Sequence, residues 1–299
     1  MKRIFLLSAL VVSLLFAQGA FAQGLTKIVD NVYSYVDVKN ASPKNSFAAN
    51  AGIVIGRDGV LVIDTLISAK EAQRFIADIR KVTDKPIKYV VDTHYHLDHS
   101  FGNAEFVKLG AAVISQVNDR KNLAEKGEAT IKNAGNFGLT PDDLAGTTIA
   151  VPTLAFTDRM TIDLGGETVE LIYVAPSHTS GSLLVFLPQH KLLFSGDVIF
   201  TDFHPFLAEG NLDGWIKNLD YIQTMDVTTI VPGHGPLSTK KDAAEMKAYL
   251  LAFDKKAREL AAEGKDAETI SAELKKALPT RSQGEWMIPY NVKAKYQGK

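Results

Sequence analysis

The sequence predicts a layered α/β/β/α architecture in which two β-sheets are enclosed by helices. Three observations carry that expectation. Strand patterns alternate with amphipathic helical patterns along most of the chain, an order that stacks sheets beneath helices. Antiparallel hairpin signals stand beside short, continuously apolar runs of the kind buried on both faces. The pattern runs through two similar halves with no linker rich in Pro, Gly or Ser, so the 299-residue chain reads as one domain built from two halves.

Residues 28–38 alternate with β-branched and aromatic side chains and read as a strand. The apolar runs 51–55 and 60–64 flank Arg57-Asp58-Gly59, a hairpin signal. Ser68 and Glu71 form a capping box that opens a helix over about 69–82, with Ala72, Phe75, Ile76 and Ile79 on one face. A buried strand at 87–91 follows Pro86, then a strand at 111–115 and a polar helix at 117–134. The second half begins after Pro141, with strands at 154–156, 160–164 and 168–174 and a tight turn at Gly165-Gly166. Residues 182–187 and 192–195 form a hairpin around 188–191. A helix at 211–225 turns Trp215, Leu219 and Ile222 inward, and the strand 228–231 is stopped by Pro232. Ser238 caps a long helix to Glu263, ended by Gly264, and Asp266 caps another to about Leu278. Residues from about 240 to 299 thus make a helical C-terminal extension.

The first residues are set apart from the fold. Lys2 and Arg3 precede an apolar run over 4–16, and Ala20-Phe21-Ala22 supplies a small-x-small cleavage site, the pattern of a secretory signal over 1–22. The run is shorter than the about 20 residues of a membrane span, so no stable membrane insertion is expected after cleavage. Removal of 22 residues leaves 277 and, with Lys2 and Arg3 gone, a formal charge of −3. The mature domain, 23–299, is expected in the periplasm or outside the cell.

Composition narrows the function. With 33 Lys+Arg against 34 Asp+Glu, the chain has no electrostatic footprint for nucleic acid. A hydrophobic content of 46% excludes disorder. No cysteine is present, which excludes disulfides, iron–sulfur clusters and a thiol nucleophile. Disulfides would form in an exported protein, so this core must be self-sufficient.

The chemistry lies in the histidines. His94, His96 and His99 fall within six residues, together with Tyr95 and Asp98, directly after a buried strand. The C-terminal ends of strands are where α/β proteins place ligands. In an extended turn His94 and His96 point the same way, leaving Asp98 and His99 to face a second point. Imidazole and carboxylate at this density suit zinc or iron rather than calcium or magnesium. His178, Asp197 and His234 each follow a predicted strand and are flanked by Gly, Ser or Pro. That placement is what a metal centre between two sheets requires.

His94-x-His96-x-Asp98-His99, followed in order by His178, Asp197 and His234, resembles the metallo-β-lactamase superfamily over about residues 25–240. The resemblance implies an αββα four-layer sandwich and two metal ions, zinc foremost, with iron or manganese as variants. It implies one ion on His94, His96 and His178, a second on Asp98, His99 and His234, and Asp197 bridging both. Asp64 matches the family's earlier aspartate, which supports a ligand from behind. The implied reaction is hydrolysis of a small-molecule substrate by a metal-bridging hydroxide, with Asp98 assisting the leaving group. Tyr95, Phe200 and His204 are candidates for the substrate pocket. The thiolate β-lactamase subclasses carry Cys where this chain has Asp197, and a carboxylate-gripping Lys where it has Phe200. A bridging aspartate favours a lactam, lactone, ester or thioester hydrolase in the wider sense. The alternatives are true β-lactamase activity, a mononuclear iron persulfide dioxygenase, and an accessory protein of a periplasmic quinoprotein system.

Overall fold

The protein is described by a computed structural model covering residues 24–296; the signal segment 1–22 lies outside the described residues. Seven strands form the first sheet: β1 (Thr26–Val29), β2 (Val32–Ser34), β3 (Gly52–Ile55), β4 (Val60–Ile63), β5 (Ile87–Val91), β6 (Ala112–Gln116) and β7 (Leu154–Phe156), side by side in chain order. The pairings from β1 to β4 are antiparallel and those from β4 to β7 parallel. The second sheet holds β8 (Arg159–Asp163), β9 (Thr168–Ile172), β10 (Leu184–Leu187), β11 (Leu192–Phe200) and β12 (Thr229–His234), in the order β12-β11-β10-β9-β8. Only its β11–β12 pairing is parallel.

Period-two alternation builds the layers. Along β4, Leu61 and Ile63 face Val185, Leu192, Phe194 and Val231 of the second sheet. Val60 and Val62 face the other way, onto Ala72, Phe75 and Ile79 of helix α1 (Ala69–Val82). Short helices α2 (Leu97–Ser100) and α3 (Asn103–Val107) follow β5, and α4 (Val117–Lys132) follows β6. The outer face of the second sheet is covered by α5 (Leu212–Thr224), α6 (Lys240–Ala262), α7 (Ala267–Ala277) and α8 (Met287–Tyr296). Trp215, Leu219, Met246, Leu250 and Phe253 pack there against Leu184, Leu193 and Ile230. The expected αββα sandwich is therefore the observed one. Among the described residues no helix is long and apolar enough to cross a membrane.

Several elements differ from the expectation. The strand expected at 28–38 is two short strands around Asn31, whose φ of 63° turns the chain. The strand 154–156 closes the first sheet beside β6 instead of opening the second. The strand expected to end at Ser195 runs on to Phe200, and the one expected to stop at Pro232 continues to His234. Pro232 is accommodated because the β11–β12 register shifts beside it: Gly196 opposes Pro232, whereas Phe200 opposes His234, so four steps on one strand match two on the other. The N-cap of α6 is Thr239, whose hydroxyl and partner Asp242 complete a capping box, while Ser238 bridges to Ile230. The Ser68 hydroxyl caps α1 by accepting from Glu71 N, but the Glu71 side chain turns to Arg74 instead of reaching back.

A candidate metal centre at the strand ends

Parallel pairing of β4 with β5, and of β11 with β12, brings the C-terminal ends of each pair to one edge, and the predicted residues meet there. His94 follows β5, His96 caps α2, and Asp98 and His99 lie within α2. His178 sits in the loop after β9. Asp197 lies inside β11 at its register shift, not beyond the strand end, and His234 closes β12. The ligand atoms form two groups, His94, His96, His178 and Asp197 in one and Asp98, His99 and His234 in the other, each within 4.8 Å of one another.

Asp197 joins the groups. Its Oδ2 is 3.3 Å from His178 Nε2 and 3.7 Å from His94 Nε2. Its Oδ1 is 3.2 Å from His99 Nε2 and 3.4 Å from His234 Nε2. His96 Nδ1 lies 2.9 Å from His178 Nε2, and Asp98 Oδ2 lies 3.4 Å from His234 Nε2. Two glycines permit this packing. A side chain at Gly196, whose φ is 47°, would lie 2.5 Å from Thr93 Oγ1, and one at Gly233 would lie 1.9 Å from Asp197 Oδ1.

The far nitrogens of the imidazoles are held from behind, which fixes the ring faces that point inward. His99 Nδ1 is 2.8 Å from Asp64 Oδ2, His178 Nδ1 is 3.1 Å from the Phe206 carbonyl, and His234 Nδ1 is 3.1 Å from the Phe47 carbonyl. Asp64 also accepts from Thr93 N at 2.7 Å and Thr93 Oγ1 at 2.8 Å, and it reaches them through a backbone φ of 61°. Asn50 donates to the carbonyls of Pro232 and Gly235, on either side of His234.

The donor set fits divalent cations. His94 Nε2 and Asp197 Oδ1 are buried without a hydrogen-bond partner, although buried polar atoms of native proteins are nearly always satisfied. Burial pushes the His94 pKa well below the usual range and that of His178 down to about 3, the state in which imidazole binds metal. Burial opposes charge on His234, yet Asp197 and Asp98 push its pKa up to about 9, and His99 is raised in the same way by Asp197 and Asp98. The carboxylates thus favour protons on the His99 and His234 rings, where a cation would take the protons' place.

An open-mouthed cavity leads to this cluster. Tyr95 lines it. Phe200 and His204 do not: Phe200 is buried and stacked on His234, with ring centroids 5.1 Å apart and planes within 2°. His204 is buried on Tyr249, with Nδ1 2.8 Å from the hydroxyl. Asn103, beside the histidine motif, is buried on Asp92 and Thr65. Glu209 is a site residue that sequence reasoning missed. Its carboxylate accepts from the Tyr95 hydroxyl and lies 3.3 Å from Lys126 Nζ and 3.9 Å from His96 Nε2. It sits in a loop with no motif, so no local signal marked it. Burial works against its charge, but His96, Tyr95 and Lys126 hold its carboxyl below the usual carboxylate range.

A four-layer sandwich with a histidine- and aspartate-lined centre at its strand ends defines a metallohydrolase class of protein. The chain belongs to the metallo-β-lactamase superfamily, whose family model matches residues 46–234. Members of that family are metal-dependent hydrolases of small molecules, typically with zinc. The chain is 27% identical over 222 residues to a linear primary-alkylsulfatase of a Pseudomonas species, a match covering 63% of this chain but only 42% of that enzyme. It is 24% identical over 249 residues to the metallo-β-lactamase type 2 of Bacteroides fragilis, covering 79% of this chain and 90% of that one. A solved metallo-β-lactamase from Pontibacter korlensis superposes with a TM-score of 0.63 at 21% identity, over 76% of this chain and 98% of the other. A stereoselective inverting sec-alkylsulfatase from a Pseudomonas species superposes with a TM-score of 0.66 at 20% identity, over 92% of this chain and 50% of the other.

Proposed function

We propose that this chain is a metal-dependent hydrolase that holds two divalent ions, zinc foremost, and cleaves a small carbonyl substrate such as a lactone, ester, thioester or lactam. The observation that carries the reading is the division of Asp197, with one oxygen turned to His94 and His178 and the other to His99 and His234. In this reading His94, His96 and His178 would hold one ion and Asp98, His99 and His234 the other, with Asp197 placed between the two groups. Imidazole with carboxylate suits zinc, and iron or manganese can use the same donors. Zinc ions held there would supply a water of near-neutral pKa, so no protein nucleophile would be required. Asp64 orients His99. Asp98 lines the cavity, and although burial opposes its charge, His99 and His234 hold its carboxyl below the usual range. It is placed to take up a proton and return it to the leaving group. The signal pattern over 1–22 supports an extracytoplasmic site of action.

Loss of the Asp64 carboxylate should act through metal binding. Asp64→Asn is expected to weaken metal affinity about 10–100-fold with the fold retained, as for other partners that orient a metal-bound histidine. Competition against a fluorescent zinc chelator measures this, and unchanged affinity would exclude Asp64 from that role.

A second reading, sulfate-ester hydrolysis, is favoured by the alkylsulfatase relative. The test is zinc-loaded protein on a panel of para-nitrophenyl esters, lactones, thioesters, β-lactams and alkyl sulfates. Hydrolysis of the carbonyl substrates that is lost with chelator and regained with zinc is expected. Turnover of alkyl sulfates alone would select the second reading, and an inert protein would overturn both.

A further inference from the structure

The cavity is walled by side chains from a part of the chain outside the matched family segment. Trp286, just before α8, and Met287 and Tyr290, in its first turn, line it together with Phe47, Phe137 and Phe206. The arm is fastened to the loop that follows β11. Arg281 Nη1 donates to the carbonyls of Phe200 and Phe203, both at 2.8 Å. Asn291 accepts from Leu207 N at 2.7 Å and donates to the Pro205 carbonyl at 2.8 Å. Gln283 ties the arm to the other side of the site, accepting from Ala41 N and donating to the Val38 carbonyl. The Tyr290 ring packs on Phe206 at 5.4 Å, and Phe206 in turn packs on His96 at 5.5 Å; Trp286 packs on Phe47 at 6.0 Å. A chain of ring contacts therefore runs from the arm to the candidate ligands.

Two further features define what this wall receives. Trp286 and Tyr290 remain 45% and 42% exposed, although both belong to a fixed arm beside a cavity. Aromatic surface held open in this way marks a binding site. The lining includes neither Lys nor Arg, and its charged groups other than histidine are Asp98, Asp197 and Glu209. Lys126, beside the cavity, is committed to Glu209 at 3.3 Å and to the Tyr95 hydroxyl at 3.0 Å. With Asp98 and Asp197 committed to the metal centre and Glu209 to Lys126, the rest of the lining offers no cation to an anionic substituent away from the scissile bond, whereas an apolar one would bury against rings.

We propose that the C-terminal arm is the specificity wall of the site, and that the substrate is a neutral ester or lactone with an aryl or alkyl body held by Trp286 and Tyr290. The proposal rests on the hydrolase reading for its substrate, but the wall itself can be tested without turnover. Zinc-loaded protein is assayed on para-nitrophenyl butyrate and on the para-nitrophenyl monoester of succinic acid. The neutral ester is expected to be preferred about tenfold or more in kcat/KM. In the double variant Trp286→Ala, Tyr290→Ala, KM for the neutral ester should rise about tenfold, equivalent to roughly 1.4 kcal/mol, with kcat little changed. Should that variant not fold, Trp286→Arg serves instead and is expected to shift the preference toward the succinate ester.

Binding is read separately by tryptophan fluorescence, because Trp215 is buried and Trp286 stands at the cavity. The non-hydrolysable para-nitrophenyl butyl ether should quench Trp286, about tenfold more weakly in Tyr290→Ala. Equal use of both esters, an unmoved KM, or no quenching would overturn the proposal. Quenching that depends on Tyr290 in a protein inert on the whole substrate panel would leave the wall standing and remove the hydrolase reading.

Discussion

Asp197→Ala is expected to lose at least one of two metal ions and to lower kcat/KM by more than about 100-fold, beyond the loss typical for a partner one layer further out. Four imidazoles lie within 3.7 Å of this carboxylate, two on each oxygen. Burial alone would raise its pKa, yet His234, His99 and His178 hold it well below the usual carboxylate range. Removing it leaves Asp98 as the one carboxylate beside the Nε2 atoms of His99 and His234 and separates the two groups of donors. Asp197→Asn, which keeps the volume but not the charge, should fail in the same way. Metal content and turnover of the purified variants check this. Wild-type values for both would contradict a bridging role.

Trp215→Ala is expected to destabilise the protein by about 3–5 kcal/mol, the range for removing a large aromatic side chain from a core. The ring is 1% exposed, and its Nε1 donates to the Val198 carbonyl at 2.8 Å, a bond that ties α5 to β11 one residue after Asp197. The same ring packs on His178 at 5.3 Å, so the variant should also bind metal less tightly. Denaturant unfolding of the apo-protein measures the first effect and chelator competition the second. A stability change below about 1 kcal/mol would show that this contact does not anchor the metal-bearing strand.

The sandwich and the residues of its centre were legible because each rests on local pattern. Helix α1 lies at 69–82 and β5 at 87–91 as expected, since a hydroxyl cap and a run of β-branched and aromatic residues interrupted only by Lys88 need no tertiary information. The seven ligand candidates stood out because imidazoles after strands are conspicuous in a composition that is otherwise average. What sequence could not show depends on contacts between distant segments. Proline at 232 reads as a strand stop, yet the register shift opposite Gly196 removes the need for its amide and lets β12 carry His234 into the site. Phe200 ends the metal-bearing strand and His204 follows it closely, but the fold stacks Phe200 on His234 and turns His204 onto α6. Glu209 and the arm at 283–290 reach the cavity only through folding. The C-terminal extension, which carried no legible role, supplies one of the cavity walls.

The most direct test of the central claim is the metal content of the full-length purified protein, measured by native mass spectrometry beside elemental analysis. Two zinc ions per chain, falling to one or none in Asp197→Ala, is the predicted result. A wild-type protein that holds less than one metal ion after zinc loading, or a single iron with the second group of donors vacant, would contradict it.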